Sequence, residues 1–262
     1  MEINDNLKQF VFYKDQLLLK KVNEINQRIP KGSELPDSCL QEAHINTISF
    51  ADGRQVQAIA LKEMIEEDGH WRMVGLRASY DELSLTDYQT AGKAAQILYW
   101  DSHSRFCPVC GTAMVQQTDI MKKCPQCGHE TYPPISTAII VLIRRGEEVL
   151  LVRARNFKGT FHGLVAGFLE AGETLEECVQ REVWEETQLR IKNIRYFGSQ
   201  SWPYPSGLMV GFIADYESGD LKLQNEELKE AAFFTRDNLP EIPRKLSIAR
   251  KLIDWWIEHP EQ

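Results

Sequence analysis

Gly167 to Leu189 reads GFLEAGETLEECVQREVWEETQL. Thr174 and Glu177 have the spacing of a capping box, in which each residue satisfies a backbone amide that a helix start leaves unpaired, so a helix is predicted from about Leu175 to Thr187. At about 100° per residue, Leu175, Cys178 and Val179 fall on a face that packs inward. Glu182 and Glu186 lie on the same face one and two turns later, with Glu185 at its edge. A stripe that begins apolar and ends in three carboxylates gathers anions where they repel one another and lose hydration. Divalent cations resolve this: an all-oxygen donor set favours Mg²⁺ or Mn²⁺ over Zn²⁺, and Mg²⁺ is commonly shared between carboxylates and substrate phosphates. A phosphate-bearing substrate is therefore expected. Arg181, beside these acids, is expected to pair with Glu173 and pin the preceding loop onto the helix. The bland alternative is a solvated acidic helix end with i,i+4 pairing.

Around this helix, strand-like runs are predicted at 137–143, 149–152, 164–168, 191–197, 208–215 and 232–234, with a second helix over about 245–258. Arg144, Arg145 and Gly146 separate the first two runs as a hairpin would. Mixed sheet with helices on its faces is the economical architecture, and it begins near Ser136. Before it, residues 1 to 100 carry short apolar runs such as Phe10 to Tyr13 and Ala58 to Leu61, turn-like stretches at 30–33 and 52–54, and no chemical motif. Thr86 to Gln89 has the form of a capping box, with Tyr88, Ala91, Ala94, Ala95, Leu98 and Tyr99 at helical spacing behind it, so a helix leads into the first cysteine pair. No internal repeat or low-complexity tract is evident.

Cys107-Pro108-Val109-Cys110-Gly111 recurs in form as Cys124-Pro125-Gln126-Cys127-Gly128. Each turn aims two sulfurs at one point, glycine admits the left-handed backbone just after it, and two such knuckles complete a tetrahedral thiolate cage. One structural zinc on Cys107, Cys110, Cys124 and Cys127 is expected, with no open position for chemistry. His129 is an outside candidate ligand. Cys39 and Cys178, the other two of six cysteines, have no partner spacing and are read as ordinary structural residues.

The 262 residues are 43% hydrophobic and 26% charged, which is ordinary globular arithmetic and excludes disordered, collagen-like and small disulfide-scaffold classes. No apolar run reaches the roughly 18 residues of a membrane span. The start is polar and acidic, without a legible targeting signal, so a cytoplasmic protein with reduced thiols is expected. A net charge of −8 offers no basic field to a duplex backbone.

Gly167, Glu173, Arg181, Glu182, Val183, Glu185, Glu186 and Leu189 together resemble the Nudix box, G-x5-E-x7-R-E-U-x-E-E-x-G-U with U aliphatic. Gln188 stands where that pattern has glycine, a position that serves the helix exit and that Gln occupies at a cost of about 1 kcal/mol. Ser199-Gln200-Ser201-Trp202-Pro203-Tyr204-Pro205 is similar to the SQPWPFPxS signature of the NADH pyrophosphatase (NudC-like) branch, with Ser201 for Pro, Tyr204 for Phe and Gly207 for Ser. That branch also carries a four-cysteine ribbon and a poorly matched N-terminal domain. The resemblance implies an α+β fold: a Nudix α/β/α sandwich with mixed sheet over 135–262, a zinc ribbon over 101–134, and a small α+β domain over 1–100.

It further implies hydrolysis of the pyrophosphate of NADH or NAD⁺ to AMP and nicotinamide mononucleotide, with removal of NAD caps from RNA as another use of the same site. Glu182 and Glu186 are then Mg²⁺ or Mn²⁺ ligands, and Glu185 is a ligand or takes the proton of the attacking water. Glu227 is a further acid from outside the box, with Glu226 and Glu230 as its nearby competitors. Phe168 and a Tyr132 from a partner subunit stack the adenine, Met209 and Trp202 complete the substrate contacts, and the protein is a homodimer. ADP-ribose or diadenosine polyphosphates are alternative substrates that keep the metals and change only the loops. From another class, the ribbon could make the chain a nucleic-acid-binding regulator; intact box acids and the acidic charge tell against it.

Overall fold

The computed structural model describes residues 3–36, 44–155, 159–223 and 228–260; Cys39, Glu226 and Glu227 lie outside them. Two compact units emerge, Met1–Pro134 with Pro203–Ser206, and Ile135–Trp202 with Gly207–Gln262. The first begins with β1 (Gln9–Tyr13), β2 (Gln16–Lys21), β3 (Gln27–Arg28), β4 (His44–Ser49), β5 (Gln55–Ala60) and β6 (Trp71–Gly75). These form one sheet in the order β3-β2-β1-β5-β4, with β6 also paired to β2. The helix α1 (Leu85–His103) follows and buries Ala91, Ala94, Ile97 and Leu98 against Phe10, Phe12, Leu17 and Leu19 of the sheet. Its start differs from the expected Thr86 box. Ser84 is the N-cap and accepts from Asp87 N at 3.2 Å, while Thr86 sits in the first turn with its carbonyl bonded by Thr90 Oγ1 at 2.8 Å. Two cap-type residues, Ser84 and Thr86, precede the same apolar period, and that period alone does not choose between them.

Beyond α1, β7 (Val115–Thr118), β8 (Met121–Lys123) and β9 (Glu130–Thr131) make a three-stranded antiparallel ribbon. Lys122 on β8 is an almost fully buried lysine, its side chain 7% exposed, and its Nζ lies 2.6 Å from Asp101 Oδ1. It also donates to the carbonyls of Asp101 and Ser104. His44 Nε2 contacts the other Asp101 oxygen. A buried ammonium is tolerated only with such a partner set, so this contact fixes the ribbon to the end of α1.

The second unit comprises β10 (Ser136–Arg145), β11 (Glu148–Ala154), β12 (Val165–Phe168), α2 (Leu175–Thr187), β13 (Arg190–Trp202), β14 (Gly207–Ser218), β15 (Leu228–Thr235) and α3 (Ile248–Glu258). Its mixed sheet runs β13-β14-β10-β11-β15, with β12 also on β10. Alternation along β10 sends Ile139, Val141 and Ile143 into a core with Cys178, Val179 and Val183 of α2, and Ile140 and Leu142 into a second core with Leu252, Ile253 and Trp256 of α3. The helix–sheet–helix sandwich expected from the resemblance is thus present. Ser247, accepting from Arg250 N, caps α3, so this helix begins three residues after the expected Lys245. Strand β13 runs on through Ser199–Trp202, so only 203–206 remain as the turn of the proline-rich stretch.

A resemblance between the two sheets is invisible in the sequence. In the first, β1 pairs antiparallel with β2 and parallel with β5, and β5 antiparallel with β4. In the second, β10 pairs antiparallel with β11 and parallel with β14, and β14 antiparallel with β13. Among the described residues, however, the first unit has only the short β3 and a 3₁₀ turn at Gly32–Glu34 between β2 and β4 and no counterpart of α2.

Burial raises the Asp101 carboxyl, but the hydrogen bonds from His44 and Lys122 outweigh it and hold the group at about 2. Its folded value lies below the unfolded value of about 3.9, so its contribution is complete above that pH and is lost as pH falls toward about 2. Asp101→Ala is expected to destabilise the protein by about 3 kcal/mol or more at neutral pH, since it leaves Lys122 buried without its anion. Denaturant unfolding at pH 7 and pH 3 measures this, and the difference between wild type and variant should shrink at the lower pH.

Candidate active site and metal centre

The capping box forms as read: Thr174 Oγ1 accepts from Glu177 N at 3.2 Å and Glu177 Oε2 accepts from Thr174 N at 2.8 Å. At the other end Gln188 adopts the left-handed conformation, φ 60°, and its amide bonds Trp184 O at 2.9 Å. The helix therefore exits as a glycine would let it, and its acids keep their phase. Glu182 is 9% exposed and Glu186 6%, both on the face that carries Cys178, Val179 and Val183 into the core. The Glu185 side chain is 49% exposed at the edge of that face. Cys178 is packing: burial pushes its thiol up to about 12.

Arg181 holds this end of the helix to the loop before it. Its Nε and Nη2 donate to the two oxygens of Glu173 at 2.7 and 3.0 Å, and the guanidinium keeps the Glu173 carboxyl at about 2. Nη1 reaches Glu182 Oε1 at 2.9 Å and Glu185 Oε2 at 3.0 Å, and Nη2 reaches Phe168 O at 2.9 Å. The Glu173 pair was legible from the sequence; the other three contacts were not. Because Arg181 lies between Glu182 and Glu185, the three helix acids do not close into one tight cluster. Among the described residues, only the cysteine quartet brings three or more ligand-type side chains within 4.8 Å of one another.

Strand β12 meets the helix at Gly167, where a Cβ would lie 1.8 Å from the Glu182 carboxyl carbon. Any side chain there would displace the carboxylate. An isolated glycine in a strand-like run is a sign of such close approach. A buried carboxylate laid along bare backbone, one turn from a second buried carboxylate, with all donors oxygen, fits a divalent cation of the Mg²⁺ class.

Phe168 is the next residue, so it points to the opposite face of the strand and is 65% exposed. Sheet register places it beside Ala138, Ala138 beside Met209, and Met209 beside Gln200. Two residues along, Ser136 pairs with Gly207 and Gly207 with Trp202. Directly paired residues share a face, so Phe168, Met209 and Trp202 are gathered on one surface with the small Ala138 between the first two. Gly207 suits this row, since a Cβ there would lie 3.1 Å from Trp202 O and 3.3 Å from Ser136 O. Gln200 was not singled out by sequence; its Nε2 donates to Leu246 O, and its buried Oε1 has no partner among the described residues. Tyr132, in the first unit, is 52% exposed and donates to Glu130 Oε2 at 3.3 Å. Glu227 lies outside the described residues, whereas Glu230, its neighbour on β15, is engaged by Arg153 and His162.

In the ribbon, Cys107 and Cys124 are buried while Cys110 and Cys127 face outward. Their sulfurs stand 3.5 Å (Cys107–Cys127), 3.5 Å (Cys110–Cys124) and 3.6 Å (Cys110–Cys127) apart, close to the edge of about 3.8 Å that Zn–S bonds of about 2.3 Å require of a tetrahedron. Gly111 and Gly128 both have φ 76°, and their amides close the knuckles on Cys107 O and Cys124 O. The quartet is complete without His129 and fits structural zinc.

Three family models match the chain: a NADH pyrophosphatase-like rudimentary NUDIX domain over residues 8–100, a NADH pyrophosphatase zinc ribbon over 102–132, and a NUDIX domain over 133–256. A protein named NAD-capped RNA hydrolase NudC from Chromobacterium violaceum is 38% identical over 92% of this chain and 88% of its own length. One of the same name from Pseudomonas aeruginosa is 43% identical over 78% and 74%. Among solved structures, a NUDIX hydrolase from Nitrosomonas europaea superposes with a TM-score of 0.50 at 24% identity, covering 59% of this chain and 91% of its own, a likeness of fold.

Two outcomes are expected. Gly167→Ala should displace the Glu182 carboxylate and weaken Mn²⁺ binding by roughly tenfold or more, as loss of a ligand's support does, with an unchanged circular dichroism spectrum. Protein purified without chelator should contain one zinc per chain by elemental analysis, and Cys124→Ser should lose it and become protease-sensitive in the ribbon.

Proposed function

The chain belongs to the Nudix hydrolase family, in its NADH pyrophosphatase branch, and we propose that it hydrolyses the pyrophosphate bond of NADH or NAD⁺ to AMP and nicotinamide mononucleotide with α2 as its catalytic element. The observation that carries this is the buried pair Glu182 and Glu186, with Glu182 laid on bare Gly167 backbone and steadied by Arg181. Glu182 and Glu186 would hold Mg²⁺ or Mn²⁺. Bound there, the cation supplies a nucleophilic water at neutral pH and offsets charge on the bridging and leaving oxygens. Glu185, exposed and on the same helix end, is the third ligand or the acceptor of the water's proton, and Glu227 is the acid added from outside the helix.

The face bearing Phe168, Met209 and Trp202 takes the nucleotide, with Phe168 stacking the adenine and contributing roughly 1 to 3 kcal/mol. Tyr132, exposed and adjacent to Pro133 and Pro134, is offered to a second copy, which makes a homodimer the expected assembly. NAD at the 5′ end of RNA presents the same dinucleotide, and the names of the relatives favour this second substrate. We divide the chain as 1–100, 101–134 and 135–262, a division supported by the matched ranges, and place it in the cytoplasm, where the zinc thiolates stay reduced. No helix among the described residues is long and apolar enough to cross a membrane.

Incubation of NADH with the protein and Mg²⁺ or Mn²⁺, followed by separation of products, tests this reading. AMP and reduced nicotinamide mononucleotide are expected; free nicotinamide with ADP-ribose would overturn it. Glu186→Gln should lower turnover at least 100-fold with the fold intact, because the amide keeps the shape and loses the charge that holds the cation.

A further inference from the structure

On the face that carries Phe168, Met209 and Trp202, the rungs of the second sheet run in sequence: Ser136, Gly207 and Trp202, then Ala138, Met209 and Gln200, then Ile140, Gly211 and Gly198. The third rung is bare at two of its three places, and α3 starts over it. Ile248, the first residue of α3 and 3% exposed, fills the space, so that a Cβ on Gly211 would lie 2.9 Å from Ile248 Cδ1 and 3.3 Å from Gly198 O. A glycine within a strand marks such a close approach. Just before the helix, Leu246 O accepts from Gln200 Nε2 at 2.9 Å. Only a donor can meet a carbonyl, so this bond sets the direction of the amide and leaves Oε1, buried and without a partner among the described residues, as an acceptor on the residue paired with Met209. Arg250 makes the start of α3 one piece, donating to Pro243 O at 3.1 Å and to Asp254 Oδ1 at 2.6 Å, and Ser247 caps it. All of these residues belong to the second unit.

We propose that Gly211 and Ile248 are positioning residues for the nucleotide: the bare rung seats the start of α3, and through Leu246 O that seat fixes the Gln200 amide beside Met209. The proposal rests on the reading of this face given above. The seat also sets where cover ends, since α3 closes the sheet face at the Ile140–Gly211–Gly198 rung and the next two rungs carry the residues assigned to the nucleotide. A shift of Ile248 is passed to Leu246, because Arg250 joins the residues on either side of them. The effect should fall on binding and spare the chemical step, because Glu182 and Arg181 are held by Gly167, Glu173 and Phe168 O, and none of these is part of the seat.

The test is a size exchange on the zinc-replete protein, with NADH and Mn²⁺. Gly211→Ala, which presses on Ile248 Cδ1, should raise KM about fivefold, the worth of one neutral hydrogen bond, with kcat within about twofold. Adding Ile248→Val removes the Cδ1 that the new methyl meets, and should return KM to within about twofold of wild type. Gln200→Leu leaves the seat intact and removes only the amide; it should raise KM to a similar extent, and Gly211→Ala should add little to it, since both act through one bond. Gln200→Leu alone decides the matter if Gly211→Ala does not fold. Unchanged KM in Gly211→Ala or in Gln200→Leu, no recovery with Ile248→Val, or a fall of kcat matching the rise of KM would overturn the proposal. Failure of the function itself is a distinct result, because the wild-type protein would then leave NADH intact.

Discussion

Arg181 donates to both oxygens of Glu173, to Glu182, to Glu185 and to the carbonyl of Phe168, so one guanidinium ties the entry loop, the acid helix and the strand beneath it into a single body. A planar, permanently charged fork suits this better than a lysine would, because each bond requires a fixed direction. It also gives Glu182, 9% exposed beside an apolar core, a charged partner at 2.9 Å. A buried carboxylate with such a charged hydrogen-bond partner is tolerated where an isolated one would not be. Glu173, held at about 2 by the same guanidinium, keeps this arrangement charged across the physiological range.

The period-two alternation of β12 then divides the labour. Gly167 faces the acids and Phe168, one residue later, faces the opposite side with Met209 and Trp202. The proposed metal site and the proposed nucleotide face thus lie on opposite faces of one four-residue strand, Val165–Phe168.

Much of this was legible in the sequence because the decisive pattern is local. The Thr174–Glu177 box, the helical spacing of the acids, the Arg181–Glu173 pair and the two cysteine knuckles each depend on residues near in the chain, and each forms as expected. What was not legible is long-range. The start of α1 depends on whether Ser84 or Thr86 caps it, a choice the apolar period leaves open. The predicted strand run stops at 197, yet pairing with β14 extends it through Ser199–Trp202, and only register reveals that Trp202 joins Met209 and Phe168. Gln200 and the buried Lys122–Asp101 pair likewise become visible only when distant segments meet. The shared pairing of the two sheets left no repeat in the sequence because backbone topology constrains strand pattern without dictating side chains.

The central claim is that Glu182 and Glu186, and not merely acidic surface, hold the divalent cation. Titration of the zinc-replete protein with Mn²⁺, followed by water-proton relaxation, measures this without relying on turnover. The wild-type protein should bind Mn²⁺ at a site that Glu182→Gln and Glu186→Gln each weaken by more than roughly tenfold, whereas replacing the exposed Glu176 should leave it unchanged. Equal Mn²⁺ affinity in wild type and in both carboxylate variants would contradict the account.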